Sequence, residues 1–68
     1  MNIENIRINR TGSYGRYIVT GTVNGIEVSA PTTDSEAFDY LNDDDFPEKQ
    51  QDALDHCKMV LEIAFEGL

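Results

Sequence analysis

The chain has 68 residues, of which 13 are acidic and 5 are basic, so its formal net charge is −8. A chain of this length forms one domain at most, and we expect a single domain over residues 1–68 whose core is too small to wall a deep catalytic cleft. The acidity opposes long-range attraction to nucleic-acid phosphates, which disfavours direct nucleic-acid binding. The composition, 40% hydrophobic and 26% charged, is typical of a folded protein rather than a disordered one.

The sequence lacks the features that direct a chain to a membrane or out of the cell. No segment approaches the roughly 18 apolar residues of a membrane span, and the start of the chain has no basic stretch followed by an apolar one. The single cysteine, Cys57, has no partner for an intramolecular disulfide. We therefore expect a cytoplasmic protein, in a bacterial or host-cell cytosol, that makes no membrane contact.

Residues 3–30 are predicted to form a three-stranded β-meander. The dipeptide Asn24-Gly25 favours a two-residue type I′ hairpin, which would pair Gly21 with Val28 across the turn. A mid-strand glycine often marks the close approach of another element, and we expect Phe38 or Phe65 to fill the gap above Gly21. We expect Pro31 to end the third strand. The predicted buried side of the hairpin consists of Tyr17, Val19, Val23, Ile26, Val28 and Ala30.

Residues 33–68 are predicted to form an acidic helical half. Thr33 is the predicted N-cap of a short helix that runs to Leu41 or Asn42, and Pro47 is the predicted first residue of a long helix capped by Asp45. Apolar residues recur every three or four positions along the long helix: Ala53, Leu54, Cys57, Val60, Leu61, Ala64, Phe65 and Leu68. The predicted fold is α+β with element order βββαα, in which a three-stranded antiparallel meander is packed on one face by the long C-terminal helix.

The residue types give no support for catalysis or cofactor binding. His56 and Cys57 are neighbours, so on a helix they lie about 100° apart and cannot form a nucleophile–base pair. No Ser-His-Asp set and no glycine-rich phosphate loop can be assembled. Asp43-Asp44-Asp45 lacks the ligand spacing of a calcium loop and is interpreted as a solvated, helix-capping segment. We predict a protein that is not an enzyme and has neither a cofactor nor a metal site.

The charge is regional, which points to a binding surface. The first thirty residues carry a net charge of +1 and the remainder carries −9. We interpret the helical half as a face that binds another protein through a basic surface on that partner. Its predicted acidic contacts are Asp39, Asp43, Asp44, Asp45, Glu48, Asp52 and Asp55, and its predicted apolar contacts are Tyr40, Phe46, Met59 and Ile63.

Two alternatives remain open. Arg7, Arg10 and Arg16, with neighbouring Asn and Thr residues, would give the sheet a face suited to nucleic acid. Met59 and Ile63 lie one helical turn apart and would suit a homodimer, unless the short helix covers them.

The small size, the Asn24-Gly25 hairpin and the aspartate-rich segments 33–39 and 43–45 together resemble a class of small acidic proteins encoded by phages and mobile elements, anti-CRISPR proteins among them. The resemblance implies a non-enzymatic inhibitor or modulator of a nucleic-acid-handling partner. It assigns no role to any individual residue.

Overall fold

A computed structural model describes residues 2–68 as one three-stranded antiparallel sheet with two helices packed on one of its faces. The sheet order is β1-β2-β3, and the long helix contacts all three strands. This arrangement confirms the predicted α+β fold and its βββαα order. The elements are β1 (Ile3–Arg10), β2 (Tyr17–Val23), β3 (Ile26–Thr32), α1 (Ser35–Leu41) and α2 (Pro47–Glu66).

The β2–β3 hairpin has the predicted register. Asn24 and Gly25 have φ values of 50° and 84°, as a type I′ turn requires, and Gly21 lies opposite Val28. Of the residues expected on the buried side, all are buried or half-buried except Ile26, which is 51% exposed. That expectation was wrong because Ile26 begins the edge strand β3 beside the turn, where it has a strand neighbour on one side only.

The third strand does not end at Pro31, as expected, but continues to Thr32. Pro31 lies opposite Ile18 within the pairing. A proline is tolerated there because β3 is an edge strand, so the nitrogen that lacks a hydrogen can face away from the ladder.

The first strand contains a β-bulge that the sequence did not reveal. Glu4 and Arg7 pair with Thr22 and Thr20, so β1 has one more residue than β2 between these points. Asn5, within the bulge, has a φ of 55°. The extra residue reverses which side chains of β1 face the core on either side of the bulge. Ile3 therefore faces the core together with Ile6 and Ile8, although it lies an odd number of residues from both.

The gap above Gly21 is filled by an aliphatic side chain, so the expected aromatic ring was wrong. A Cβ atom placed on Gly21 would lie 2.7 Å from Cδ1 of Leu61 and 3.2 Å from the carbonyl oxygen of Glu4. Leu61 is 0% exposed, because the buried stripe of α2 crosses the sheet at this point. Phe38 instead stacks on Tyr17, with ring centroids 4.6 Å apart.

The N-cap of α1 is Asp34, one residue later than the expected Thr33. The carboxylate oxygen Oδ1 of Asp34 accepts a hydrogen bond from the backbone N–H of Ala37 at 3.1 Å. The shift arises because β3 extends to Thr32, whose hydroxyl accepts a hydrogen bond from the N–H of Asp34 at 3.2 Å.

Helix α2 begins at Pro47 as predicted, but its N-cap is Phe46 and not Asp45. The residue before a proline is kept out of the helical conformation, and Phe46, with φ −129° and ψ 73°, is not helical. Leu68 was expected in the buried stripe, but it lies beyond the end of α2 and is 82% exposed. Within residues 2–68, no helix combines the length and the apolar character that a membrane span needs.

Candidate functional site

The outward side of α2 carries carboxylates along most of its length. Helix geometry places one row of residues directly opposite the buried Ala53, Cys57 and Leu61. We call this row the acidic helix face, and every member is exposed: Glu48, Asp55, Met59, Glu62, Ile63 and Glu66. Asp52, a predicted contact, is also exposed, but it lines the groove between α1 and α2 and does not belong to this face. Glu62 and Glu66 were not among the predicted contacts. Their spacing of seven and eleven residues from Asp55 is the sequence signal that assigns them to the same side of the helix.

Two apolar side chains lie in the middle of this face. Met59 is 53% exposed and Ile63 is 63% exposed, and α1 does not cover them. Asp55 lies one turn before Met59, and Glu66 lies about one turn after Ile63. The structure therefore brings together an exposed apolar pair and a flanking set of carboxylates.

Two carboxylates at the C-terminal end of the acidic helix face, Glu62 and Glu66, oppose the stability of the helix that carries them. The last turn of α2 has no basic residue, and Glu62 and Glu66 lie near the end where the helix dipole is negative. These two residues also form a like-charge pair at i and i+4. Across residues 2–68, no lysine or arginine forms an ion pair with a carboxylate. Lys58 lies within one helical turn of Asp55 and Glu62 but forms a direct ion pair with neither, so most of the negative charge of the face is left for solvent or a partner to neutralise.

The predicted aspartates of the α1–α2 connection lie before α2 begins and do not belong to the acidic helix face. Asp43 Oδ1 accepts a hydrogen bond from the N–H of Asp45 at 2.9 Å. Asp44 Oδ1 accepts one from Nε2 of Gln50 at 3.4 Å. Asp39 is exposed on α1. In the part of the chain that the structure describes, no three acidic, histidine or cysteine side chains converge to hold a metal ion.

The predicted apolar contacts fall into two separate places. Tyr40 and Phe46 pack edge to face, with centroids 5.7 Å apart, at the start of α2. Phe46 is 45% exposed, whereas Tyr40 is half-buried and lines the groove between α1 and α2. Met59 lies thirteen residues after Phe46, which is about 20 Å along a helix axis. The structure therefore does not join the aromatic pair to Met59 and Ile63.

His56, to which the sequence assigned no role, takes part in a polar network between β3, α1 and α2. Its Nε2 lies 3.0 Å from the Thr32 hydroxyl, and its Nδ1 lies 3.7 Å from Oδ2 of Asp34. A ring protonated on Nδ1 accepts from Thr32 and points its N–H at Asp34. The groove of about 110 Å³ beside it is lined by His56 and Asp34 but not by Thr32, so the hydroxyl is not presented to a substrate there. We interpret the network as structural.

Cys57 belongs to the core, as the helical pattern predicted. Its side chain is 0% exposed. Burial, and secondly the charge of Asp34, raise the pKa of the Cys57 thiol above its ordinary value. Both effects favour the protonated thiol, and its burial is typical of a structural cysteine.

The three arginines considered for nucleic acid do not share one face. Arg7 lies opposite Thr20, on the side of the sheet away from the helices. Arg10 and Arg16 instead flank the β1–β2 connection and line a cavity of about 570 Å³. The guanidinium carbon of Arg10 lies 5.2 Å from the centroid of the Phe38 ring, on the helix side of the sheet.

No protein-family model matches the chain, and neither a curated protein nor a solved structure matches it. Function is therefore inferred from the surfaces themselves. The acidic helix face and the cavity lined by Arg10 and Arg16 are the two surfaces with a defined chemistry.

Proposed function

We propose that the protein is a non-enzymatic binding module whose acidic helix face contacts a basic surface on another protein. The observation that supports this is the exposure of Met59 and Ile63 amid carboxylates that form no ion pair with a lysine or arginine within residues 2–68. Protein interfaces commonly combine an apolar centre with a polar rim, and a few apolar or aromatic anchors carry most of the binding energy. The carboxylates supply orientation and association rate, and the apolar pair supplies affinity.

The sign of the charge favours a different protein over a second copy of this chain. A homodimer through Met59 and Ile63 would bring the carboxylates of two acidic helix faces together, and like charges across an interface are repulsive. A basic partner would turn the same charges into attraction and would accelerate the encounter.

The negative charge of the acidic helix face also indicates which class of protein it would bind. Protein surfaces with strong positive potential are typical of nucleic-acid-binding proteins. An acidic helix face seated on such a surface would occupy the place of the phosphates. The protein would then inhibit or modulate its partner by competing with nucleic acid.

A matched set of charge variants tests the proposal. Asp55→Asn with Glu62→Gln removes two charges from the acidic helix face, and Glu4→Gln with Glu27→Gln removes two exposed charges from the sheet, where both residues pair with Thr22. Each full-length variant is immobilised and exposed to cell lysate, and the captured proteins are quantified. We expect a basic protein that is captured by the wild type and the sheet variant but lost by the helix variant.

Two further arms test the mechanism. Met59→Ser with Ile63→Ser should abolish capture of the same protein, because the apolar anchor is removed without any change in charge. Added duplex DNA or structured RNA should release the partner if the two compete for one surface. Capture that the helix variant retains would contradict the proposal, and so would a partner that binds its nucleic acid and this protein simultaneously.

The connection aspartates are tested separately. Replacement of Asp43, Asp44 and Asp45 by Asn removes three charges outside the acidic helix face. A loss of capture that matches that of the helix variant would extend the interface to the start of α2. Unchanged capture would confine the interface to the acidic helix face.

A further inference from the structure

A cationic cavity lies at the β1–β2 end of the sheet and is built without residues of α2. Its volume of about 570 Å³ falls within the range of small-molecule sites, about 300–1,000 Å³. The lining comes from the β1–β2 connection, from the adjoining strand ends and from the segment that enters α1. The lining residues with a role in recognition are Arg10, Ser13, Tyr14, Arg16, Thr33 and Ser35.

The charge inside this cavity is opposite to that of the whole protein. Two arginines line it and no carboxylate does. The acidic neighbours of Thr33 and Ser35 in the sequence, Asp34 and Glu36, line the α1–α2 groove instead. The alternation along this segment therefore turns hydroxyls toward the arginines and carboxylates away from them. Neither Arg10 nor Arg16 has an ion-pair partner within residues 2–68.

Arg10 is held in place by an aromatic stack. Its guanidinium lies over the Phe38 ring, which in turn stacks on Tyr17 at an interplanar angle of 21°. An arginine stacked on an aromatic ring keeps its donors free for an anion, and it loses less conformational freedom on binding than a solvated arginine would. The cavity thus has one preorganised cationic group.

The connection that carries Arg16 is also fixed. Arg16 donates its backbone N–H to the carbonyl of Ser13 at 3.3 Å, and its own carbonyl accepts from the N–H of Thr11 at 3.2 Å. Gly15 has a φ of +72°, the left-handed conformation that the third residue of a type II turn adopts. Tyr14 occupies the preceding position at the tip of this turn, and its side chain is fully exposed.

The cavity therefore offers three kinds of recognition side by side. Guanidinium groups bind phosphate oxygens through charge-assisted hydrogen bonds. The hydroxyls of Ser13, Thr33 and Ser35 form no hydrogen bond within the described part of the chain and can donate to phosphate or sugar oxygens. An exposed tyrosine ring is a stacking surface for a nucleobase.

We propose that this cavity binds a mononucleotide, with Arg10 and Arg16 on the phosphate group and the Tyr14 ring on the base. The site is separate from the acidic helix face, so nucleotide binding here does not depend on the proposed protein partner. A mononucleotide fits better than a polymer because Arg7, which a polymer on the sheet would need, faces the other side.

Calorimetric titration of the full-length protein at low salt tests the proposal with AMP, adenosine, inorganic phosphate and an eight-nucleotide oligo-dT. We expect AMP to bind at least about tenfold more tightly than either adenosine or phosphate, since only AMP engages both halves of the site. Arg16→Gln should weaken AMP about tenfold, and the matched Arg7→Gln control should leave it unchanged. Tyr14→Ala should weaken AMP and not phosphate.

Arg10 packs on Phe38, so Arg10→Gln could also lower stability and is measured together with its thermal unfolding curve. Arg16 is not part of this stack, so Arg16→Gln is the decisive variant. The proposal is overturned by absence of AMP binding at millimolar concentration, or by AMP binding that Arg16→Gln leaves intact. It is also overturned if the oligonucleotide binds more tightly than AMP and depends on Arg7, because that result assigns the arginines to a polymeric nucleic acid.

Discussion

The close approach between β2 and α2 at Gly21 gives the sharpest prediction about stability. A methyl group on Gly21 would lie 2.7 Å from Cδ1 of Leu61, far inside the roughly 3.5–4.0 Å of a favourable carbon–carbon contact. Leu61 is 0% exposed and cannot turn into solvent, and the Glu4 carbonyl oxygen, at 3.2 Å, restricts movement of the backbone. Overpacking of this kind costs about 1–3 kcal/mol.

The same substitution also restricts the unfolded chain, which offsets about 0.4–1 kcal/mol. We therefore expect Gly21→Ala to lower the free energy of unfolding by about 1–2 kcal/mol, measured by urea denaturation followed by circular dichroism. Gly12→Ala is the matched control, because a Cβ atom on Gly12 meets nothing within 4 Å and the residue has no positive φ. The control should change stability by less than about 0.5 kcal/mol.

A double-mutant cycle identifies Leu61 as the cause. Leu61→Ala alone should cost about 2–5 kcal/mol, because it leaves a cavity in the core. In that background the methyl group of Gly21→Ala no longer meets Cδ1, so the two costs should sum to more than the cost of the double variant, by about 1 kcal/mol. Strictly additive costs, or a neutral Gly21→Ala, would refute the packing described here.

Three other features of the fold predict measurable effects. Asp34→Ala should cost about 1 kcal/mol in thermal unfolding, because it removes the cap of α1, whereas Thr33→Ala should cost less than about 0.5 kcal/mol; the reverse order would restore Thr33 as the cap. Glu66→Gln should raise the stability by roughly 0.3 kcal/mol at low salt, because it relieves repulsion at the end of α2, and a decrease would contradict that electrostatic account. The raised pKa of Cys57 favours the protonated thiol in the folded state, so the stability that this thiol contributes is complete below its unfolded pKa and is lost as pH rises through its folded pKa. Wild type should therefore lose more stability than Cys57→Ala between neutral and alkaline pH, and equal losses would count against burial of the thiol.

Local signals in the sequence were sufficient for much of this fold. Asn24-Gly25 specifies a turn geometry by itself, so the β2–β3 register followed from two residues. The period of α2 likewise determined which side is buried, because Ala53, Cys57 and Leu61 repeat every four positions. Both features depend on neighbours in the chain.

The features that sequence reasoning missed depend on contacts between distant segments. The bulge at Asn5 adds one residue to a strand, and only its pairing with β2 reveals it. Which side chain fills the gap at Gly21 depends on how α2 crosses the sheet, and the nearest one is forty residues away, at Leu61. His56 bonds to Thr32, twenty-four residues earlier. None of these pairings has a local sequence signal.

The candidate surfaces divide in the same way. The carboxylates of α2 could be located from helical periodicity, and so could Met59 and Ile63, but their exposure depends on where α1 packs. The cavity with Arg10 and Arg16 joins the β1–β2 connection to the start of α1. Its charge separation arises from the fold, since Asp34 lies in the chain between two of the lining residues and turns away.

Site-specific photo-crosslinking tests the central claim most directly. Met59 and Ile26 are matched in exposure, at 53% and 51%, but only Met59 lies on the acidic helix face. A photo-reactive phenylalanine derivative is placed at one position or the other, and the proteins are irradiated in lysate. The account predicts that a basic protein crosslinks to position 59 and not to position 26, and that Asp55→Asn with Glu62→Gln abolishes the crosslink. Equal labelling from both positions, or a crosslink that survives neutralisation of the face, would contradict it.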